Sequence, residues 1–254
     1  MRRDQENAIK VRHLQTGYGK RVLMQDLCFE VRYGEIFGIL GGSGCGKSTL
    51  LKYLIGLYPV IRGNVRILGY RLDGISDLRR RALSHRFGVT YQSGALFGSM
   101  TVGENIALVL EEFTRKNQEE IQQIVRKNLA LVDLAGFENY FPHELSGGMI
   151  KRAAVARALA LHPKLLFFDE PSAGLDPITS AGLDQLILKL RDELSSTIVI
   201  VTHELDSIFT VMDRVILLDK QTKGIIAEGS PQELQNDCTI PFVRDFLNRS
   251  GTRN

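Results

Sequence analysis

The stretch Gly41-Gly42-Ser43-Gly44-Cys45-Gly46-Lys47-Ser48 fits the pattern G-x-x-x-x-G-K-[ST] of a phosphate-binding loop. Glycines let the backbone wrap an anion and present its N–H groups, and the N-terminus of a following helix favours negative charge. Lys47, expected to be exposed, would reach the outer phosphates of a nucleotide, and the Ser48 hydroxyl is a ligand for Mg²⁺. Thr49 closes the set of loop contacts. Cys45 sits inside this loop, so its alkylation is expected to block the nucleotide.

A second chemical group lies further along. Leu165-Leu166-Phe167-Phe168-Asp169-Glu170 is an apolar run ending in two carboxylates, which puts Asp169 at the carboxyl edge of a strand, where a nucleotide's metal sits. Glu170, one residue on, is placed to orient or deprotonate an attacking water. An apolar run followed by Asp-Glu is by itself most often a plain strand end; the phosphate loop changes that weighting. Leu145-Ser146-Gly147-Gly148-Met149 precedes a strong helical pattern, so Ser146, Gly147 and Gly148 crown a helix N-terminus, either as an ordinary cap or as a second anion site.

The elements that must position these groups follow from periodicity. Ile9 to Val31 alternates apolar and polar residues around the turn Gly17-Tyr18-Gly19-Lys20, which predicts antiparallel strands. Ile36 to Leu40, the glycine loop and Ser48 to Ile55 read as strand, loop and helix. Leu165 to Phe168, Thr197 to Val201 and Val215 to Leu218 are short apolar runs separated by helical patterns at 149–161, 178–194 and 204–212. That order predicts buried parallel strands with crossover helices. Between them Ile121, Ile124, Val125, Asn128, Leu129 and Val132 keep helical spacing behind an Asn117–Glu120 capping box, which predicts an inserted helical lobe.

Together these residues resemble the ABC ATPase family. The order is phosphate loop, Gln92, Leu-Ser-Gly-Gly, Asp169-Glu170, Ser172-Ala173-Gly174-Leu175-Asp176 and His203, and the likeness runs from about Ile9 to Leu247. The resemblance implies an α/β P-loop NTPase of ABC type: a RecA-like parallel-sheet core, an N-terminal antiparallel β subdomain and an inserted helical subdomain. It implies one ATPase domain over 1–247, with core at 1–100 and 147–247, helical lobe at 101–146 and a flexible tail at 248–254. ATP and Mg²⁺ are the implied cofactors, with Ser48, Gln92 and Asp169 around the metal. Tyr18 resembles the aromatic residue that stacks on adenine, Gln92 the glutamine that meets Mg²⁺ and water, and His203 the histidine that holds the γ-phosphate. Asp176 resembles the aspartate that crosses the dimer interface. Each ATP would be held by the phosphate loop of one copy and the Ser146 motif of a second copy.

Within the family, Met149 stands where most signatures carry glutamine. Gln92-Ser93-Gly94-Ala95-Leu96-Phe97, Met100-Thr101-Val102 and Glu104-Asn105 are similar to the ATPases of MCE-type lipid transporters, the Mla group. That implies a phospholipid cargo, an integral-membrane permease, an MCE-type lipid-binding protein and a small cytoplasmic regulator. If Ser93 to Thr101 docks the permease, then Leu96, Phe97 and Met100 should be partly exposed. The alternatives are an importer of polar solutes such as amino acids, or a non-transport ABC ATPase.

Bulk properties bound the rest. With 254 residues, 44% hydrophobic and 24% charged, the chain is long enough for one large core, and a net charge of +3 argues against nucleic acid as partner. Cys28, Cys45 and Cys238 show no metal-ligand spacing, which suits a reducing compartment. No apolar run approaches the roughly 20 residues of a membrane span. A cytoplasmic protein, peripheral on the inner face of the cell membrane through its permease, is the expected location. The Arg79-Arg80-Arg81 run reads as a solvated helix face.

Overall fold

A computed structural model describes residues 7–19 and 21–248. Residues 249–254 of the expected tail, and Lys20 of the expected turn, lie outside the described residues. The chain forms two compact units: Met1–Arg80 with Thr197–Asn254, and Arg81–Ser196.

The first unit opens with a long antiparallel pair, β1 (Asn7–Tyr18) and β2 (Arg21–Arg32). Ile9 and Val11 on β1 and Leu27, Phe29 and Val31 on β2 turn inward at period two, and Leu14 joins them across a register shift; all are at most 2% exposed. Next come β3 (Ile36–Gly41), α1 (Lys47–Leu54), β4 (Asn64–Ile67), β5 (Tyr70–Arg71) and α2 (Asp77–Ser84). β4 joins β1, giving a four-stranded sheet in the order β2-β1-β4-β5. α2 carries the arginine run with only Leu83 buried, so the expected solvated face holds.

The chain then builds the second unit. β6 (Phe87–Thr90) leads through α3 (Val102–Phe113), α4 (Gln118–Leu131), a 3₁₀ turn at Pro142–Glu144 and α5 (Gly147–Ala158) to β7 (Leu165–Asp169) and α6 (Pro177–Leu194). β6 and β7 pair in parallel, Phe87 opposite Leu165. α3 and α4 each start with a reciprocal capping box, Thr101 with Glu104 and the expected Asn117 with Glu120. α5 lies so close to β6 that a Cβ on Gly88 would sit 2.3 Å from the Ala158 carbonyl oxygen.

Returning to the first unit, β8 (Thr197–Val201), α7 (Leu205–Val211), β9 (Arg214–Asp219), β10 (Gly224–Gly229), α8 (Pro231–Asp237) and α9 (Pro241–Asn248) complete the chain. β3 is central there: it pairs in parallel with β8 on one side and β9 on the other, and β10 closes antiparallel on β9. Buried on both faces, β3 and β8 consist almost wholly of apolar residues, and burial of each large aliphatic side chain contributes about 1.5–3 kcal/mol. Phe29 of β2 stacks on Phe37 of β3 with centroids 5.7 Å apart, joining the antiparallel sheet to the parallel strands of the same unit. Sequence patterning missed β4, β5, β6, β10 and α8, which are short or polar enough to carry little periodic signal.

Candidate functional site

β3 ends at Gly41 and α1 begins at Lys47, so the glycine loop is the strand-to-helix turn that phosphate binding requires. Gly41, Gly44 and Gly46 have φ of 148°, 70° and 110°. A Cβ on Gly41 would come within 2.6 Å of the Leu218 carbonyl oxygen and 2.7 Å of Cys45 Sγ, so glycine is required there on space as well as on φ. No side chain caps α1, which leaves the first-turn amides as donors for an anion. This cradle fits a nucleotide's phosphates.

Lys47 corrects its expectation of exposure. The residue is only 7% exposed, and its ammonium donates to the carbonyls of Gly41 at 2.8 Å and Gly42 at 3.2 Å. A buried ammonium demands acceptors, and the loop's own carbonyls are the nearest. Cys45 is also buried, at 3% exposure; burial pushes its thiol pKa up, against the pull of the Lys47 charge.

Tyr18, at the end of β1, is 47% exposed; its hydroxyl lies 2.6 Å from Thr49 Oγ1 and its ring stands edge-on to Tyr58 at 5.7 Å. Tyr53 packs on Tyr58 in turn, and with Ile61 these rings line a groove of about 750 Å³. Tyr58 and Tyr53 were not singled out in the sequence; nothing in their spacing marks them. Ser43, Gly44 and His203 are exposed, Gly42 and Ser48 half-buried, and His203 lies two residues past the end of β8, with Nε2 3.9 Å from a Glu204 carboxylate oxygen. The first unit therefore holds the phosphate loop, Tyr18 and His203.

The second unit holds the rest. Asp169 closes β7, half-buried, and Glu170 follows it, 9% exposed and in the left-handed region at φ 49°. Gln92 lies just past β6 in a turn closed by Gly94 N–H to Tyr91 O at 2.8 Å. Sequence reasoning missed Lys151 of α5, whose ammonium donates to the backbone carbonyls of Gln92 and of Glu170, the latter at 3.4 Å. It thereby ties the glutamine turn to the acidic pair. Burial lowers the Lys151 pKa, while the Glu170 and Asp169 charges hold it up. A signal existed: Gly148, Lys151 and Val155 share one helical stripe, all buried, and a lysine on such a stripe needs partners.

Two more side chains secure the loop after Gln92. Asn105, wholly buried on α3, accepts from Phe97 N–H at 2.8 Å and donates to the carbonyls of Phe97, Met100 and Thr101. Arg157 of α5 donates to the carbonyls of Ala95 and Gly94. The loop's apolar residues point outward as expected: Phe97 is 54% exposed, and Leu96 and Met100 are half-exposed.

Ser146 is the N-cap of α5, its Oγ accepting from Met149 N–H at 3.3 Å, with Ser146 and Gly147 exposed. Gly148 is buried against α6, where a Cβ would meet Thr179 Cγ2 at 2.4 Å. Asp176 caps α6: its carboxylate accepts from the Thr179 hydroxyl and from the amides of Thr179 and Ile178, which holds its pKa below the usual range. Ser48, Asp169 and Gln92 all offer oxygen, the donor set that a hard cation such as Mg²⁺ takes.

A phosphate loop after a buried parallel strand, a strand ending in Asp-Glu and a Ser-Gly-Gly helix start define an ABC-type ATPase. Residues 24–173 match the ABC transporter family, and the chain belongs to it as a transport-coupled ATPase. It is 42% identical over 241 residues to the probable ribonucleotide transport ATP-binding protein mkl of Mycobacterium leprae, covering 95% of this chain and 69% of that one. It is 38% identical over 242 residues to the intermembrane phospholipid transport system ATP-binding protein MlaF of Escherichia coli, covering 95% and 88%. An ATP-binding cassette solved as a dimer in a post-hydrolysis state with ADP and Pi superposes with a TM-score of 0.79 at 28% identity, over 87% of this chain and 98% of that one. Among the described residues no helix is long and apolar enough to cross a membrane.

Proposed function

We propose that this chain is the ATP-hydrolysing subunit of a phospholipid transport system, working as two copies beneath a separate permease at the inner face of the cell membrane. The ATP-driven part rests on the uncapped start of α1 beneath a glycine loop with Lys47 folded against it. The lipid cargo rests on the likeness to MlaF over nearly the whole chain. An MCE-type lipid-binding protein and a small cytoplasmic regulator belong to the same reading, as does the treatment of 1–247 as one functional ATPase domain with its helical lobe at 101–146.

In this reading Tyr18 stacks on adenine, Lys47 exchanges its loop carbonyls for the outer phosphates, and Ser48, Asp169 and Gln92 hold Mg²⁺. Glu170 accepts a proton from the attacking water while His203 holds the γ-phosphate. Ser146, Gly147 and Gly148 of one copy meet the nucleotide bound to the other, and Asp176 crosses the interface. ATP supplies the phosphate that both copies grip, so its cleavage loosens the pair.

The test is reconstitution of the subunit with its permease in vesicles carrying a fluorescent phospholipid. Lipid transfer that needs ATP and stops in Glu170→Gln is the expected result. Because the name of the mycobacterial relative points to a polar cargo, labelled ribonucleotide is assayed in parallel; ATP-dependent movement of nucleotide without lipid transfer would overturn the lipid reading.

A further inference from the structure

On the antiparallel sheet of the first unit, two of the four register shifts in the β1–β2 ladder flank the pair Leu14↔Leu27. Between the pairs Val11↔Phe29 and Leu14↔Leu27, two residues of β1, Arg12 and His13, oppose Cys28 alone. Between Leu14↔Leu27 and Thr16↔Met24 the excess passes to β2, where Gln25 and Asp26 oppose Gln15. These two shifts are opposite in sense, so Thr16↔Met24 returns to the register of Val11↔Phe29, and between them His13 and Asp26 are swung to the same side of the hairpin as Cys28. Both are in the left-handed region, at φ 51° and 55°, a conformation that costs a residue with a Cβ about 1 kcal/mol or more.

Side chains meet where the bulges aim them. His13 Nδ1 lies 2.6 Å from Asp26 Oδ1 and 3.7 Å from Cys28 Sγ, and all three donor atoms fall within 4.8 Å of one another. The His13 backbone N–H also donates to Cys28 Sγ at 3.2 Å. Sulfur and carboxylate approach the same ring nitrogen, so the group is not a nucleophile–base–carboxylate relay, which needs both imidazole nitrogens. Three donors converging on one point instead describe a cation site. One sulfur, one nitrogen and one oxygen suit a borderline divalent ion and not Mg²⁺ or Ca²⁺. With metal–ligand bonds of about 2.0–2.3 Å, the edges of a tetrahedron are about 3.3–3.6 Å, which the sulfur–nitrogen spacing already approaches. Asp26, three-quarters exposed, has only to draw back from the ring.

We propose that His13, Asp26 and Cys28 form a binding site for Zn²⁺ or a zinc-like divalent ion, clamping β1 to β2 and leaving a fourth position open to water. On binding, the Cys28 S–H bond breaks, a sulfur–metal bond forms and the proton passes to solvent, while the imidazole carries its proton on Nε2. One thiolate and one carboxylate then balance the two positive charges.

The experiment uses the full chain, nucleotide-free, titrated with Co²⁺ alone and then with Zn²⁺ alone. One equivalent of Co²⁺ should bring up a thiolate-to-cobalt charge-transfer band that is lost in Cys28→Ser and kept in Cys238→Ser. Loss of even an outer-shell partner costs a metal site roughly 10–100-fold in affinity, so His13→Asn and Asp26→Asn should each weaken Co²⁺ at least that much. Asparagine tolerates the left-handed backbone of both positions, and metal-free melting of each variant checks that the hairpin survives. Zn²⁺ should raise the melting temperature of the parent chain and leave that of Cys28→Ser unchanged. Absence of the band, its persistence in Cys28→Ser, or unchanged affinity in both asparagine variants would overturn the site.

Discussion

Lys47 is the residue whose environment most changes what its removal should do. Its ammonium donates to the carbonyls of Gly41 and Gly42, tying the loop to the start of α1. Lys47→Met should therefore abolish ATP binding and also cost about 1–3 kcal/mol, the range for a charge-assisted hydrogen bond that leaves buried acceptors behind. Nucleotide titration beside urea unfolding checks both, and full-affinity binding would remove Lys47 from the phosphate site. Glu170→Gln preserves shape and hydrogen-bonding capacity but not basicity, so it should keep ATP affinity and lose turnover by roughly 10²-fold or more. Phosphate release at the parent rate would assign the base elsewhere. Cys45 behaves differently from a thiol exposed in a loop: burial raises its pKa, so at neutral pH the reactive thiolate is scarce and its labelling should lag that of the half-exposed Cys28 and Cys238. The lag should shrink as pH rises toward the raised pKa, and peptide mass mapping after timed alkylation reads it directly. Equal rates at all three thiols in the native chain would contradict the burial.

At the scale of elements, the loop 92–101 is held in shape by three side chains from two helices: Lys151 and Arg157 on α5, Asn105 on α3. α3 is itself fixed at its start by the Thr101–Glu104 capping box, so the loop runs into a helix whose first turn is already satisfied. Asn105 spends both its carbonyl and its amide on the loop backbone, in a position with no access to water. Asn105→Ala leaves those backbone groups without their partner and should destabilise the chain by about 1–3 kcal/mol, while ATP affinity, set by the first unit's phosphate loop, stays near normal. Thermal melting with and without nucleotide separates the two; an unchanged melting temperature would mean the loop holds itself.

For the whole molecule, the consequence is an apolar surface on a firm base. Phe97 is more than half exposed, although its neighbours in the loop are anchored, and an exposed aromatic on a rigid loop is a suitable anchor for a partner. Phe97→Asp should leave melting within about 0.5 kcal/mol of the parent, as for other surface changes, keep ATP binding, and fail to capture the permease in a pull-down. A large fall in melting temperature, or undiminished capture, would argue that this loop is not where the membrane partner docks.

By themselves the residues and their spacing determined the class of fold and named the candidate site residues. G-x-x-x-x-G-K-S demands a backbone that wraps an anion, and a short β-branched run such as Ile198 to Val201, apolar at every position, reads as a strand buried on both faces. Capping at Asn117 was legible because a capping box is a contact between residues three apart. What only the tertiary structure decided are the partnerships between residues distant in sequence. Lys151 meets Gln92 and Glu170, Gly148 admits Thr179, and Asn105 reaches back over the loop before it. Most of all, the paired bulges bring His13, Asp26 and Cys28 together from a stretch that reads only as alternating strand. Local pattern reports which face a side chain takes; where two strands slip by one residue is set by their packing together, and that slip selected the neighbours.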